Sequence, residues 1–194
     1  MNKRSLALTK EQYIESVKLL REGFILDGVI RQPNPRIATI VVMQGCLGLR
    51  IGDCLKLKMS SFVKDGNLWR LDIVEQKTKK KRVFKVPLEI YNFIQGYAYQ
   101  YKIGYENKLF DISVRQVQRH LKYVFIKMGL DPKKYGTHSY RRFFAVSVFV
   151  NNNKDIRLVQ ELLQHSSVQV TQLYISVFDA SIEEALNKTV SHLI

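Results

Sequence analysis

Arg50, Lys77, His138, Arg141, His165 and Tyr174 occur in that order and together could break and remake a phosphodiester without a metal ion. Two arginines can hold the two non-bridging oxygens in fork geometry and stabilise transition-state charge. A lysine can protonate a leaving alkoxide, and a histidine can donate to the phosphate or move a proton. A tyrosine hydroxyl can be the nucleophile and conserve the bond as a phosphotyrosine ester. In GTHSYRRFFAV, His138 and Arg141 are one helical turn apart, so a helix starting there presents both on one face.

Other chemistries find less support. His120, His138, His165 and His192 have no HExxH spacing, and Cys46 and Cys54 lie near none of them, so neither a metal nor another cofactor is expected. Two cysteines are too few for a disulfide framework and read as reduced thiols. Acidic residues are scattered, which disfavours a carboxylate-metal nuclease. The chain has no GxxxxGK[ST] run for ATP and no GxSxG elbow for serine hydrolysis.

Lys and Arg number 31 against 17 Asp and Glu, a formal net charge of +14 over 194 residues. Such an excess favours a polyanionic partner. It is uneven: residues 1–153 carry 28 basic and 12 acidic side chains, residues 154–194 only 3 and 5. The last segment is thus built differently and suits protein better than phosphate. No apolar run approaches the roughly 20 residues of a membrane span, and the N-terminus lacks a secretory apolar core. A soluble cytoplasmic protein is expected.

The positioning elements follow from pattern. Thr9 and Gln12 have capping-box spacing ahead of Ile14, Val17 and Leu20, which predicts a first helix. RIATIVVMQGCLGLR reads as a buried helix, a glycine turn and a helix start near Arg50. LWRLDIVEQ and RVFKVP flank KTKKK, predicting a β-hairpin with a basic tip. LEIYNFIQGYAYQYK reads as a helix. A second capping box, Ser113 to Gln116, opens a helix with Val117, Leu121 and Val124 on its apolar stripe and Arg115, Arg119 and Lys122 on another face. Helices at about 138–150, about 154–164 and around Tyr174 follow, and the Ser181 to Glu184 capping box marks a last one. The fold class expected is mainly α with a small antiparallel β-sheet.

Four boxes in this order resemble the catalytic domain of the tyrosine recombinases, or phage integrases. GCLGLRIGDCLKLKMSSF is similar to that family's first box, with Arg50 as its arginine and Asp53 at the acidic position. VEQKTKKKRVFKVP resembles its hairpin, with Lys77 as the mobile lysine. THSYRRFFAV resembles the HxxR box, giving His138 and Arg141. LLQHSSVQVTQLYIS resembles the last box, giving His165 and the nucleophile Tyr174. Gln164 departs from the glycine usual before that histidine, and Tyr140 from a common leucine.

The resemblance implies the tyrosine recombinase catalytic domain fold over residues 1–180, with residues 181–194 a helix able to dock on a neighbouring protomer. The family's N-terminal DNA clamp is expected to be absent from this chain, either because the chain is a fragment or because it is similar to the short recombinases. The implied activity is site-specific recombination through a 3'-phosphotyrosyl intermediate, with Asp53 supporting the arginine-bearing helix. Implied partners are double-stranded DNA, further copies in a synaptic tetramer and accessory DNA-bending proteins, in the nucleoid. Lys79, Lys80, Lys81 and Arg82 are expected on phosphates, and Arg115, Gln116, Arg119 and Lys122 toward the duplex. A type IB topoisomerase-like relaxation and a catalytically silent DNA-binding regulator are the alternatives.

Overall fold

The computed structural model describes residues 5–175; the C-terminal helix expected from Ser181, and His192, lie outside them. Helix α1, Lys10–Glu22, starts at the expected box: Thr9 accepts from the Gln12 N–H and the Gln12 side chain accepts from the Thr9 N–H. It lays Val17 and Leu20 against α2, Pro35–Leu47. A short hairpin of β1, Phe24–Leu26, and β2, Val29–Arg31, joins the two helices. Nothing in the sequence beyond the Asp27-Gly28 turn marks it, because three residues are too few to show alternation.

Helix α2 is the centre of the core, which is why it is apolar all round: Ile37, Ile40, Val41, Met43 and Leu47 are buried. Asn34 caps it by accepting from the Ile37 N–H, and Pro35 occupies the first turn, where its missing N–H costs nothing. Gly48 ends it in the left-handed region at φ 60. A Cβ there would collide with the Phe144 ring, so backbone and packing both demand glycine. The reversal places Arg50 at the N-cap of a one-turn helix, α3, Ile51–Cys54.

Strands β3, Phe62–Asp65, β4, Leu68–Val74, and β5, Lys81–Val86, form an antiparallel sheet in that order. The β4–β5 hairpin is the expected one, and β3 is the strand that the sequence leaves unmarked. Phe62, Leu71 and Val86 face the core, while Trp69 stacks on Tyr91 of α4, Leu88–Gln100, with ring centroids 3.6 Å apart. Helix α5, Val114–Lys127, buries Val117, Leu121, Val124 and Phe125, as its stripe predicts, and opens at the Ser113 to Gln116 box.

Helix α6, Thr137–Asn151, joins two cores. Its Tyr140 lies in the main one, edge-on to Tyr13, and its Ala145 in a smaller one with Val159 and Leu163 of α7, Ile156–Leu163, and Ile175 of α8, Val168–Ile175. Tyr140, which departs from the family's leucine, is thus a core residue. No helix among the described residues is long and apolar enough to cross a membrane. Gly48→Ala combines a left-handed penalty with overpacking against Phe144, and urea unfolding should show a loss of about 2–4 kcal/mol.

Candidate active site

The site grows from the turn at Gly48. Arg50 extends its guanidinium to the end of β4, where Nη1 donates to Glu75 Oε2 at 2.5 Å. Glu75 is fully buried; its Oε1 pairs with Arg82 Nη1 at 3.3 Å, and the Thr78 hydroxyl donates to Oε2 at 2.7 Å. Burial alone would raise the Glu75 pKa, but the Thr78 hydrogen bond and the two arginines outweigh it and hold the carboxyl below its ordinary value. A carboxylate therefore stands between two guanidiniums.

Arg82 corrects an expectation. It does not reach outward to phosphates: it is 1% exposed, and Nη2 donates to the carbonyls of Leu47 at 2.9 Å and Leu162 at 2.7 Å. Its strand position explains this, since along β5 the side chains of Arg82, Phe84 and Val86 turn inward while Lys81, Val83 and Lys85 turn out. Arg141 does the same work from α6. Its Nη1 donates to Gly48 O at 2.5 Å and Nη2 to Leu163 O at 2.8 Å, with no exposed surface. Desolvation first, then Arg50 and Arg82, push its pKa down to about 10, which leaves it protonated at neutral pH.

His165 follows α7 through Gln164, which adopts φ 51 in the left-handed region. That conformation is why glycine is usual there; Gln164 offsets its strain by donating Nε2 to Lys81 O at 3.1 Å. His165 Nε2 lies 3.5 Å from Arg141 Nη2, and Nδ1 lies 3.1 Å from Thr171 Oγ1. The Thr171 hydroxyl donates to Ser167 O at 3.4 Å, so its oxygen accepts from Nδ1–H. The assigned tautomer thus leaves the Nε2 lone pair toward Arg141. The Tyr174 ring meets His165 at 4.6 Å between centroids, and the Arg142 guanidinium lies over the same tyrosine at 4.8 Å.

His138 opens α6 and lines a cavity of 460 Å³ with Lys122 and Lys133. Protein packed beneath it, then Arg141, Arg142, Arg50 and Lys77, hold its pKa below the ordinary value. Those cations are within electrostatic reach of one imidazole. Lys77 is exposed on the turn between β4 and β5. Asp53 is buried, and its Oδ1 accepts from the Gln76 N–H at 2.7 Å, so it fastens the hairpin to α3. This is a larger role than holding its own helix.

Lys79, Lys80 and Lys81 are exposed, and Lys81 pairs with Asp72 at 3.2 Å. Arg115, Gln116, Arg119 and Lys122 share the solvent face of α5, but Gln116 Oε1 is engaged by the Ser113 N–H and hydroxyl in its own cap. The structure therefore brings Arg50, Lys77, His138, Arg141, His165 and Tyr174 toward one another, and the exposed face of α5 adjoins them through Lys122, which shares the His138 cavity. Sequence reasoning missed Glu75, Arg142 and Thr171. Only the acidic character of Glu75 within a basic hairpin could have marked it.

The phage integrase family profile matches residues 31–181. The tyrosine recombinase XerC of Caldanaerobacter subterraneus subsp. tengcongensis is 30% identical over 186 residues, which are 90% of this chain and 49% of that protein. Among solved structures, the XerH site-specific recombinase bound to palindromic difH substrate in a post-cleavage complex superposes with a TM-score of 0.72 at 20% identity, covering 95% of this chain and 53% of that one. The catalytic domain of bacteriophage HP1 integrase gives 0.65 at 18% identity and 95% coverage of both chains. The chain spans about half the length of the curated relatives it matches.

The histidines carry a pH dependence. Desolvation, then Arg141 and Arg50, push His165 from 6.5 down to about 4. Between those values the unfolded chain binds the extra proton, so stability falls as pH drops through that window and is retained above it. Urea unfolding measured from about pH 7 to about pH 4.5 should show this decline, and His165→Asn should flatten it.

Proposed function

The chain belongs to the phage integrase family and has the tyrosine recombinase catalytic domain fold, and we propose that it performs site-specific DNA recombination by tyrosine-mediated strand cleavage and rejoining. The observation that carries this reading is the grouping of Arg141 beside His165 and Tyr174, with Arg50 and Lys77 within electrostatic reach of His138. A phosphodiester is the anion such a group of cations would take. It would be charge-balanced by guanidiniums without a metal.

Tyr174 Oη attacks the scissile phosphorus, the bond to the 5' oxygen breaks, and a 3'-phosphotyrosyl ester remains. Lys77 gives its proton to the leaving 5' oxygen. We assign the tyrosine proton to His165 Nε2, whose lone pair would turn from Arg141 Nη2 to the tyrosine hydroxyl as the phosphate engages Arg141. The resulting imidazolium then donates to the phosphate. Attack by a 5' hydroxyl from a partner strand on the same phosphorus reverses each transfer and rejoins the DNA.

Arg50, with 19% of its side chain exposed, is the first arginine a phosphate would meet. Arg141 has no exposed surface and its Nη2 lies 3.5 Å from His165 Nε2, so its contact with phosphate requires a shift of the His165 side chain while Tyr174 stays at the site. Duplex DNA would lie along the exposed face of α5 and the hairpin lysines, with Gln116 limited to its amide N–H groups. Further copies in a synaptic tetramer, accessory DNA-bending proteins and residence on the nucleoid complete the reading. The segment 181–194 is proposed to dock on a neighbouring copy.

Covalent trapping tests the chemistry. The protein is incubated with genomic DNA of its source and quenched with detergent, and the attached DNA is sequenced. Discrete adducts are expected with the wild-type chain and none with Tyr174→Phe. A regulator without catalysis would bind but leave no adduct. Arg119→Ala should weaken binding to all sequences alike and reduce the slope of log affinity against log salt by about 1, read by fluorescence anisotropy.

A further inference from the structure

We infer that Glu75 is a positioning residue that sets Arg50 against Lys77, an inference that rests on the recombinase reading above. The geometry begins with exposure. Glu75 has no accessible side-chain surface and Arg50 has 19%, so the carboxylate grips the guanidinium from the protein side. One N–H of the five is engaged there, and the guanidinium keeps an exposed side on which a ligand could meet it.

The grip is itself anchored. Glu75 Oε1 pairs with Arg82 Nη1 at 3.3 Å, and Arg82 is fixed to Leu47 O at 2.9 Å and Leu162 O at 2.7 Å. Oε2 accepts from Arg50 at 2.5 Å and from Thr78 at 2.7 Å. The carboxylate therefore cannot swing without breaking bonds at both oxygens. Through it, an otherwise flexible arginine is referenced to the ends of α2 and α7.

The same residue also closes the turn that carries Lys77. Its N–H donates to Lys80 O at 2.9 Å, and its carbonyl accepts from the Lys79 N–H at 2.9 Å. The side chain thus fixes the cation assigned to the phosphate, and the backbone fixes the cation assigned to the leaving oxygen. Charge adds a second reason. Arg50, Arg82 and Arg141 repel one another, and Glu75 is the carboxylate paired with two of them. Aspartate would keep the charge but is one methylene short of spanning both arginines.

The test has two arms. The first needs no DNA: in the full labelled chain, the Arg50 guanidinium Nη resonances, assigned through Arg50→Lys, should be split by slowed rotation and should merge in Glu75→Gln. Resonances that are already merged in the wild type would overturn the inference. The second uses a duplex carrying a trapped site. At saturating DNA, Glu75→Gln and Glu75→Asp should form the Tyr174 adduct about tenfold or more slowly, with affinity within about twofold. An unchanged rate, or a defect confined to affinity, would count against positioning. Glu75→Asp keeps a charge opposite Arg82, so it serves if Glu75→Gln does not fold. If the wild-type chain forms no adduct anywhere, the recombinase reading fails, and the Arg50 resonances alone decide whether Glu75 holds that arginine.

Discussion

Two buried guanidiniums converging on the carbonyl ends of two helices are the constraint from which the rest of the structure follows. Arg82 binds Leu47 O and Leu162 O, and Arg141 binds Gly48 O and Leu163 O. Removing a guanidinium from water costs several kcal/mol unless its donors are met and its charge is opposed. Here carbonyls meet the Nη donors of both guanidiniums, while the Nε–H of each stays buried without a hydrogen-bond partner among the described residues. The last carbonyls of a helix lack internal partners and carry the negative end of its dipole, so α2 and α7 supply acceptors and partial charge together. Glu75 supplies the remaining formal charge. The arrangement ties the main core to the smaller one around Val159 and Leu163, adding to the link that α6 makes between them.

This framework determines how the site behaves. Burial first, and then the surrounding cations, hold both imidazoles neutral at ordinary pH. A neutral histidine among arginines suits the proposed reaction, in which a tyrosine loses a proton beside an anionic phosphate. Thr171 orients His165 and α8 brings Tyr174 to it, so Tyr174, His165 and Arg141 belong to one packed unit. Its closeness also explains why Arg141 has no exposed surface.

The exposed cations and the buried ones are held by different means. Helix α5 needs only an apolar stripe and an exposed basic face, and both are present without any buried charge. The hairpin does two tasks by alternation: Lys81 and Lys85 face solvent, while Arg82 faces the carbonyl ends. A run of consecutive basic residues is therefore divided by the period of the strand into surface charge and internal scaffold.

Much was legible in the sequence because it rests on local rules. Capping boxes at Thr9 and Ser113 and the stripe of α5 set those helix starts, glycine set the turn before Arg50, and the order of arginines, histidines and tyrosine pointed to metal-free phosphoryl transfer. What the sequence could not settle was where each charge goes. Arg82 reads like its lysine neighbours, and only the sheet register and the ends of α2 and α7 turn it inward. Glu75 reads as an incidental acid until folding brings Arg50, 25 residues earlier, to 2.5 Å. Helix starts and turns are decided by hydrogen bonds a few residues apart, whereas the burial and pairing of a charge depend on acceptors that approach only when distant segments pack.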